Sequence, residues 1–568
     1  MPSSKIVTIK GAQYIEVNGR VVPGAAYMTY FSDRNRYGDF AEAGYKFYSV
    51  SVFFGTNKIN NIGALDCFSP GIFDNGVGDF TLFDTDVRRI LDVCPDAMIL
   101  PRMNVNPSVK WEQKHPDELC DKGPSAHPEL VRACIASDVW AEYVKDCLTE
   151  FIKHVEASDF KENIIGYQIA GGQTEEWFSY DENGFSGERS REKYRKYLND
   201  CGAQDSDAEY FAFLSKLCAG RIAELCSHVK GMTDGRLIVG AFYGYTLELV
   251  ARTTAHHGLS LLLESDAIDF ICSPISYEGY RGIGFDHVYM VPVNSHKEHG
   301  KLYFLECDSR THISKPPFDH PRFDNPVWYG FEKSITLNSL KMHFSKCLVH
   351  GHAFWWFDMW GGWFADEDYM RFMRRAREIA EESVGLPMES LSEVAVFVDE
   401  GAYALMSDSE SAEHAVRSMR LTLGRMGVPY DVYLASDFER VKNKYKAYIT
   451  LVPCATPLYY KIEESARIEK KVCIRVGEEN ADITTDELRR RLSFGGVPIY
   501  SNRDAVIYSS ESFLFFCSTQ DGEQVLRLNF CARLTELFTG EEYYVSDGCL
   551  KINARLGDAF LFKICREL

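Results

Sequence analysis

The chain has 568 residues, more than one ordinary domain holds, and its 45% hydrophobic and 25% charged residues are those of a folded globular protein. A formal net charge of -20 denies it the cationic footprint that nucleic acid or an anionic membrane surface requires, so a neutral partner is expected. No apolar run approaches the ~20 residues of a membrane span, and the N-terminus lacks the apolar stretch of a signal peptide. Seventeen cysteines, odd in number and scattered, fit reduced thiols better than a disulfide framework, which points to the cytoplasm. There is no CxxC or HExxH spacing, and neither a metal nor a cofactor is expected.

Along the chain, Lys5–Val22 reads as a hairpin turning at Asn18-Gly19. Eight short apolar runs follow: Gly24–Tyr30, Phe47–Phe53, Ala97–Met103, Ile164–Ile169, Leu237–Tyr243, Phe270–Ile275, Leu302–Glu306 and Ala353–Asp358. Helical stretches such as Val139–Val155, Ala208–Lys230 and Tyr329–His350 separate them. Eight such alternations predict a (β/α)8 TIM barrel over residues 1–386. Strand–helix alternation then restarts with Val394–Val398, a helix over Ala412–Met426, and the strands in YDVYLASDF, YKAYITLVP and VCIRVG. This predicts a small doubly wound α/β domain over 387–496, and the absence of GxGxxG gives no support for a dinucleotide. From 497 to 568 the runs AVIYSS, SFLFFCST, QVLRLNF, EYYVS, CLKINA and AFLFKI predict an antiparallel β domain.

Two segments carry chemistry. Four of the eight tryptophans fall in GHAFWWFDMWGGWF (Trp355, Trp356, Trp360 and Trp363), together with Asp358. Aromatic faces of this kind stack on the apolar faces of sugar rings, and they equally well fill a core strand. Upstream, the strand KLYFLE delivers Glu306 at its C-terminal end, where barrel enzymes hold their catalytic groups. Retaining cleavage of a glycosidic bond needs a second carboxyl about 5–5.5 Å away. The run IIGYQIAGGQTEEWFSY offers Glu175 and Glu176 just beyond another strand. Neighbouring residues diverge in direction, so one of them is expected in the cleft. Glu176 is preferred because Trp177 beside it would raise its pKa and keep it protonated, with Glu175 as the alternative.

In this order, the features resemble clan A glycoside hydrolases, and within the clan the family 42 β-galactosidases and neighbouring families that include β-mannosidase-like enzymes. Those proteins pair an N-terminal NGR hairpin with a proton donor after the fourth strand, a nucleophilic glutamate on the seventh and a tryptophan-rich eighth. The resemblance implies a retaining exo-glycosidase acting on a terminal β-linked sugar of a glycoside or oligosaccharide, with Glu306 as nucleophile. It also implies that VPYDVYLASDFERVKNKYKAYITLVP belongs to a flavodoxin-like trimerisation domain, hence a homotrimer. By the same resemblance Tyr277 would bond the nucleophile, and Arg102, Asn104 and Asn106 would line the cleft. Trp355, Trp356, Asp358 and Trp360 would form the sugar floor. The family's Asn-Glu pair at the donor is here replaced by AGGQTEE, and its zinc-binding cysteine cluster is missing. A catalytically silent sugar-binding barrel is the alternative reading.

Overall fold

The computed structural model describes residues 2–56, 70–123, 133–172, 174–178, 183–315, 332–407, 409–477, 480 and 482–566, with Glu278 described by its backbone only. The N-terminal segment forms three antiparallel strands, β1 (Ser4–Ile9), β2 (Ala12–Val17) and β3 (Arg20–Val22). The expected turn at Asn18-Gly19 is present. A second one at Lys10-Gly11 divides what reads in sequence as a single strand. Both residues of each turn have positive φ, the conformation that matches the twist of a two-residue hairpin. This small sheet lies against the N-terminal end of the barrel. The Ser4 backbone N–H donates to the carbonyl of Arg236 and the Gln13 N–H to that of Gly351, just before two barrel strands begin.

Eight parallel strands close the barrel: β4 (Ala25–Met28), β5 (Phe47–Phe53), β6 (Met98–Asn104), β7 (Gly166–Ala170), β8 (Ile238–Phe242), β9 (Phe270–Pro274), β10 (Leu302–Cys307) and β11 (Ala353–Phe357). All eight expected strands are present, and among the described residues no other strand enters the closed sheet. They are buried on both faces, which is why each reads as a nearly unbroken apolar run rather than an alternating one. Inside, Phe47, Phe270, Phe304 and Trp355 interlock, with ring centres 4.9 to 6.0 Å apart, so the barrel is a packed core and not a channel. Three of the surrounding helices start where a side chain accepts a backbone N–H. Ser137 caps Asp138–Ala157, Ser206 caps Asp207–Met232 and Asp366 caps Glu367–Glu382. Each such cap contributes about 1 kcal/mol. The helix expected over Tyr329–His350 is observed as Lys333–His350, and the first residues of that stretch lie outside those described. Gly351 ends it with φ +68°, and a Cβ there would come within 2.7 Å of Ala12.

Beyond the barrel lies a four-stranded parallel sheet of β12 (Val394–Val398), β13 (Asp431–Leu434), β14 (Ala447–Leu451) and β15 (Val472–Val476), in the order β13-β12-β14-β15. Counted within the sheet this is 2-1-3-4, the flavodoxin order. The helix expected over Ala412–Met426 is broken by a π-helical stretch, Glu413–Ser418. The chain ends in β16 (Ala505–Ser509), β17 (Phe513–Ser518), β18 (Gly522–Arg527), β19 (Ala532–Glu536), β20 (Glu542–Val545), β21 (Cys549–Ala554) and β22 (Ala559–Cys565), which form antiparallel sheets of five and two strands. The sequence reading misses β19, whose ARLTE alternates buried and exposed positions with little apolar weight.

The three units share one continuous apolar core. Polar ties cross it as well. The fully buried Lys346 ammonium of the barrel sits 2.8 Å from Asp286, which also accepts from the hydroxyl of Tyr508 on β16. Arg420, beside the flavodoxin-like sheet, donates to Glu248 at 2.6 Å and to the Tyr289 carbonyl at 3.0 Å. Among the described residues no helix is long and apolar enough to cross a membrane.

Candidate active site

The C-terminal ends of the barrel strands converge on Arg102. It lies on β6, in register with Ser51 of β5 and Gln168 of β7, so it points inward with them. Its guanidinium is 1% exposed and bridges two acids. One terminal nitrogen is 3.1 Å from Glu306 Oε2, and the other is 3.2 Å from Glu175 Oε2. Three rings surround the cation, Phe242 at 4.4 Å, Phe357 at 5.5 Å and Tyr30 at 5.7 Å from their centres. A buried cation this well matched in charge keeps its proton, and the acids around it hold its pKa above the usual arginine value despite burial.

Glu306 is on β10, in register with Pro274 of β9 and Trp355 of β11, and all three face inward. It is 4% exposed. Burial pushes its carboxyl upward, the Arg102 charge opposes that, and the nearby carboxylates of Asp308, Glu176 and Glu175 reinforce it.

After β7 the chain makes an unusual turn. Thr174, Glu175 and Trp177 all have positive φ, between 56° and 72°. Non-glycine residues in that region cost on the order of 1–3 kcal/mol each and persist only where their surroundings fix them. The surroundings do so here. The Trp177 indole lies over Gly171, where a Cβ would be only 3.0 Å from the ring, and its N–H donates to the Ile169 carbonyl. Asn106 clamps Gly172 from both sides, accepting its N–H at 3.0 Å and donating to its carbonyl at 2.8 Å. Asn104 accepts the Asn106 N–H at 3.0 Å, and its side chain faces Glu175. Gln173 of this turn lies outside the described residues.

The turn sends the two glutamates to different places. Glu175 is fully sealed, between Arg102 and the hydroxyl of Tyr30, and burial raises its pKa against those two partners. Glu176 is half-buried. It accepts hydroxyl hydrogen bonds from Tyr245 at 2.8 Å and from Thr174, and burial pushes it up to about 7. The charges of Asp308 and Glu176 help to raise Glu306, and that of Asp308 helps to raise Glu176. His256 fixes the Glu176 backbone. Its Nδ1 is 3.2 Å from the Tyr245 N–H and its Nε2 2.7 Å from the Glu176 carbonyl, a pairing that only the neutral Nε2–H tautomer satisfies. Burial lowers its pKa to about 3, so it stays neutral.

Of the other residues singled out in the sequence, Tyr277 lies at the site. Its ring is 4.3 Å from the Arg281 guanidinium, and its hydroxyl is raised by burial and by Asp308, Glu176 and Glu306. Trp355 lies inside the barrel in the layer of Glu306, packed on Phe242 and Phe304. Trp356 departs from the expected sugar floor. Strand alternation turns it outward, where its indole N–H donates to the Tyr45 hydroxyl at 2.8 Å and its ring packs on Phe372 of the helix Glu367–Glu382. Asp358 departs too. Its oxygens are occupied by the Tyr27 hydroxyl at 2.8 Å and the backbone N–H groups of Gly362 and Trp363 at 3.0 and 2.8 Å, so it shapes the loop after β11 rather than meeting a ligand. Trp360 packs on Trp363 with the Arg310 guanidinium 4.4 Å from its ring centre. Tyr30, Tyr245, His256 and Asp308 are absent from the sequence reading. Asp308 was within its reach, because residues two apart on a strand share a face. Among the described residues no cluster of side chains could hold a metal ion.

No protein-family model matches the chain, and no curated protein does. Solved structures do. The β-galactosidase from Bacillus circulans sp. alkalophilus is 12% identical with a TM-score of 0.65, over 96% of this chain and 99% of that one. Gan42B, a GH42 β-galactosidase from G. stearothermophilus, is 11% identical with a TM-score of 0.63, over 100% of both chains. Alpha-L-fucosidase isoenzyme 2 from Paenibacillus thiaminolyticus is 11% identical with a TM-score of 0.61, over 96% of this chain and 100% of that one. At such identities the likeness is one of fold, and it extends over all three units.

Proposed function

We propose that the chain is a retaining, exo-acting glycoside hydrolase for terminal β-linked sugars, with Glu306 as nucleophile and Glu176 as acid then base. The observation that carries this reading is the division of labour among three acids. Glu306 is paired with a permanent cation, which favours the ionised form a nucleophile needs against the strong upward push of burial and of the neighbouring carboxylates. Glu176 forms no ion pair among the described residues, is half-buried and is raised to about 7 against the more distant charge of Arg102, as a group that must arrive protonated requires. Glu175, sealed on Arg102, is out of a substrate's reach.

In the first step Glu306 attacks the anomeric carbon while Glu176 protonates the departing oxygen. In the second, Glu176 takes a proton from water as that water displaces Glu306, which restores the starting configuration. The likeness in fold to two β-galactosidases supports a galactose-like sugar, and β-mannosides or other β-glycosides are the alternatives within the same mechanism. The flavodoxin-like sheet supports a homotrimer, and the scattered odd cysteines support a cytoplasmic enzyme.

A panel of nitrophenyl glycosides, with the anomer of the first product followed by NMR, tests the proposal. Hydrolysis of a β-glycoside with retention is expected. Inversion would remove Glu306 from the nucleophile's role, and sugar binding without hydrolysis of any substrate would favour a silent binding barrel.

A further inference from the structure

Asp308 has no place in the two-glutamate chemistry, yet it is buried just beyond Glu306 at the same end of the barrel. It lies two residues beyond Glu306, on the inward face, and is 1% exposed. Arg281 holds one of its oxygens, Oδ1, at 2.6 Å. Arg281 is itself fixed by the carbonyls of Ile275 at 2.7 Å and Ser276 at 2.9 Å, and its guanidinium lies against the Tyr277 ring. The second oxygen, Oδ2, is buried and has no hydrogen-bond partner among the described residues. A native fold rarely leaves so strong an acceptor unmet, because it has lost water and gained nothing. Asp308 stands two residues past Glu306 and its partner Arg281 lies against the Tyr277 ring, and in keeping with that placement its charge helps to raise Glu306, Glu176 and the Tyr277 hydroxyl.

The geometry points to Asp308 as a specificity-determining contact, whose Oδ2 accepts a hydrogen bond from one hydroxyl of the sugar ring held against Glu306. The inference rests on the glycosidase reading above and adds to it what the pocket selects. A carboxylate oxygen can only accept, so the group it meets must be a donor. A ring bearing hydrogen or fluorine in place of that hydroxyl would offer Oδ2 no donor. Arg281 acts here as a positioning residue, holding the carboxylate so that only one oxygen remains to be met.

The test compares wild type with Asp308→Asn on nitrophenyl β-galactoside, β-glucoside and β-mannoside and on the monodeoxy analogues of whichever is cleaved. For wild type, removal of one particular hydroxyl is expected to lower kcat/KM about 10- to 100-fold. Asp308→Asn is expected to lose a similar factor on the parent sugar and to lose almost nothing more on that one analogue, while the other deoxy positions stay additive. Additivity at every position would overturn the proposal, because a merely structural role lowers all substrates alike. Should Asp308→Asn fail to fold with Arg281 left uncompensated, Asp308→Glu keeps the ion pair but shifts Oδ2, and the same pattern of coupling is required of it. Failure of wild type to cleave any glycoside would instead defeat the hydrolase reading. Calorimetric binding of galactose, glucose and mannose then decides for Asp308, with weaker binding of one sugar in the variant supporting it and unchanged or absent binding refuting it.

Discussion

Glu175, on the turn after β7, and Glu306, on β10, meet on the two terminal nitrogens of a single buried guanidinium, that of Arg102. The cation is therefore shared, and neither acid has its full charge. Removal of Arg102 would leave both carboxylates buried and repelling each other, whereas removal of Glu175 would leave Arg102 with Glu306. Breaking a buried pair by deleting one partner costs about 3–5 kcal/mol. Arg102→Met is expected to lose at least that much stability in urea unfolding and Glu175→Gln clearly less. Equal losses would mean that the two acids do not depend on the same cation.

Glu306→Gln is expected to reduce turnover of an activated aryl glycoside to background, since no other group can form the covalent intermediate. Glu176→Ala is expected to lose about 10²- to 10⁴-fold on a substrate with a poor leaving group, the usual contribution of general acid catalysis. Azide should restore turnover of a good leaving group in Glu176→Ala but not in Glu175→Ala, with the glycosyl azide as product. Rescue of Glu175→Ala alone would exchange the two roles.

The carboxyl of Glu176 titrates at about 7 in the folded chain against an ordinary value of 4.5. As the proton donor it is active only while protonated, so kcat/KM should fall as pH rises through about 7. A profile that stays level well above 7 would disqualify Glu176.

The same shift bears on stability. The folded chain binds this proton more tightly than the unfolded chain does, so the associated stability is complete below 4.5 and is lost as pH rises to about 7. At 1.36 kcal/mol for each pKa unit the loss reaches about 3 kcal/mol. Glu176→Gln cannot ionise. It should match wild type in thermal unfolding in acid and exceed it in weak alkali.

Trp356 sits between sheet and helix, not in the pocket. Trp356→Phe should lose about 1–2 kcal/mol, from the hydrogen bond to Tyr45 and part of the packing, with KM unchanged. A raised KM with unaltered stability would return this residue to the sugar floor.

Much of the architecture is legible in the sequence because buried parallel strands leave an unmistakable record, short apolar runs between amphipathic helices. Glu306 is legible for the same reason, as an acid closing such a run. The turn holding Glu175 and Glu176 is harder to read, because three left-handed non-glycine residues obey no local preference and are held by the Trp177 indole on the Ile169 carbonyl and by Asn106 on Gly172. Trp356 and Asp358 mislead for the opposite reason. Their composition suggests a binding surface, but the face each takes depends on strand phase and on the Gly361-Gly362 loop beyond, which composition does not encode.

The apolar core that runs from the barrel into both later units, beside the smaller cores those units keep to themselves, has a practical corollary. Trimming the gene after the barrel to obtain a minimal catalytic fragment would expose Lys346 and Asp286 and strip Tyr508 from them. Such a fragment would be a sticky, protease-sensitive species, and the whole polypeptide should melt in one transition instead of three.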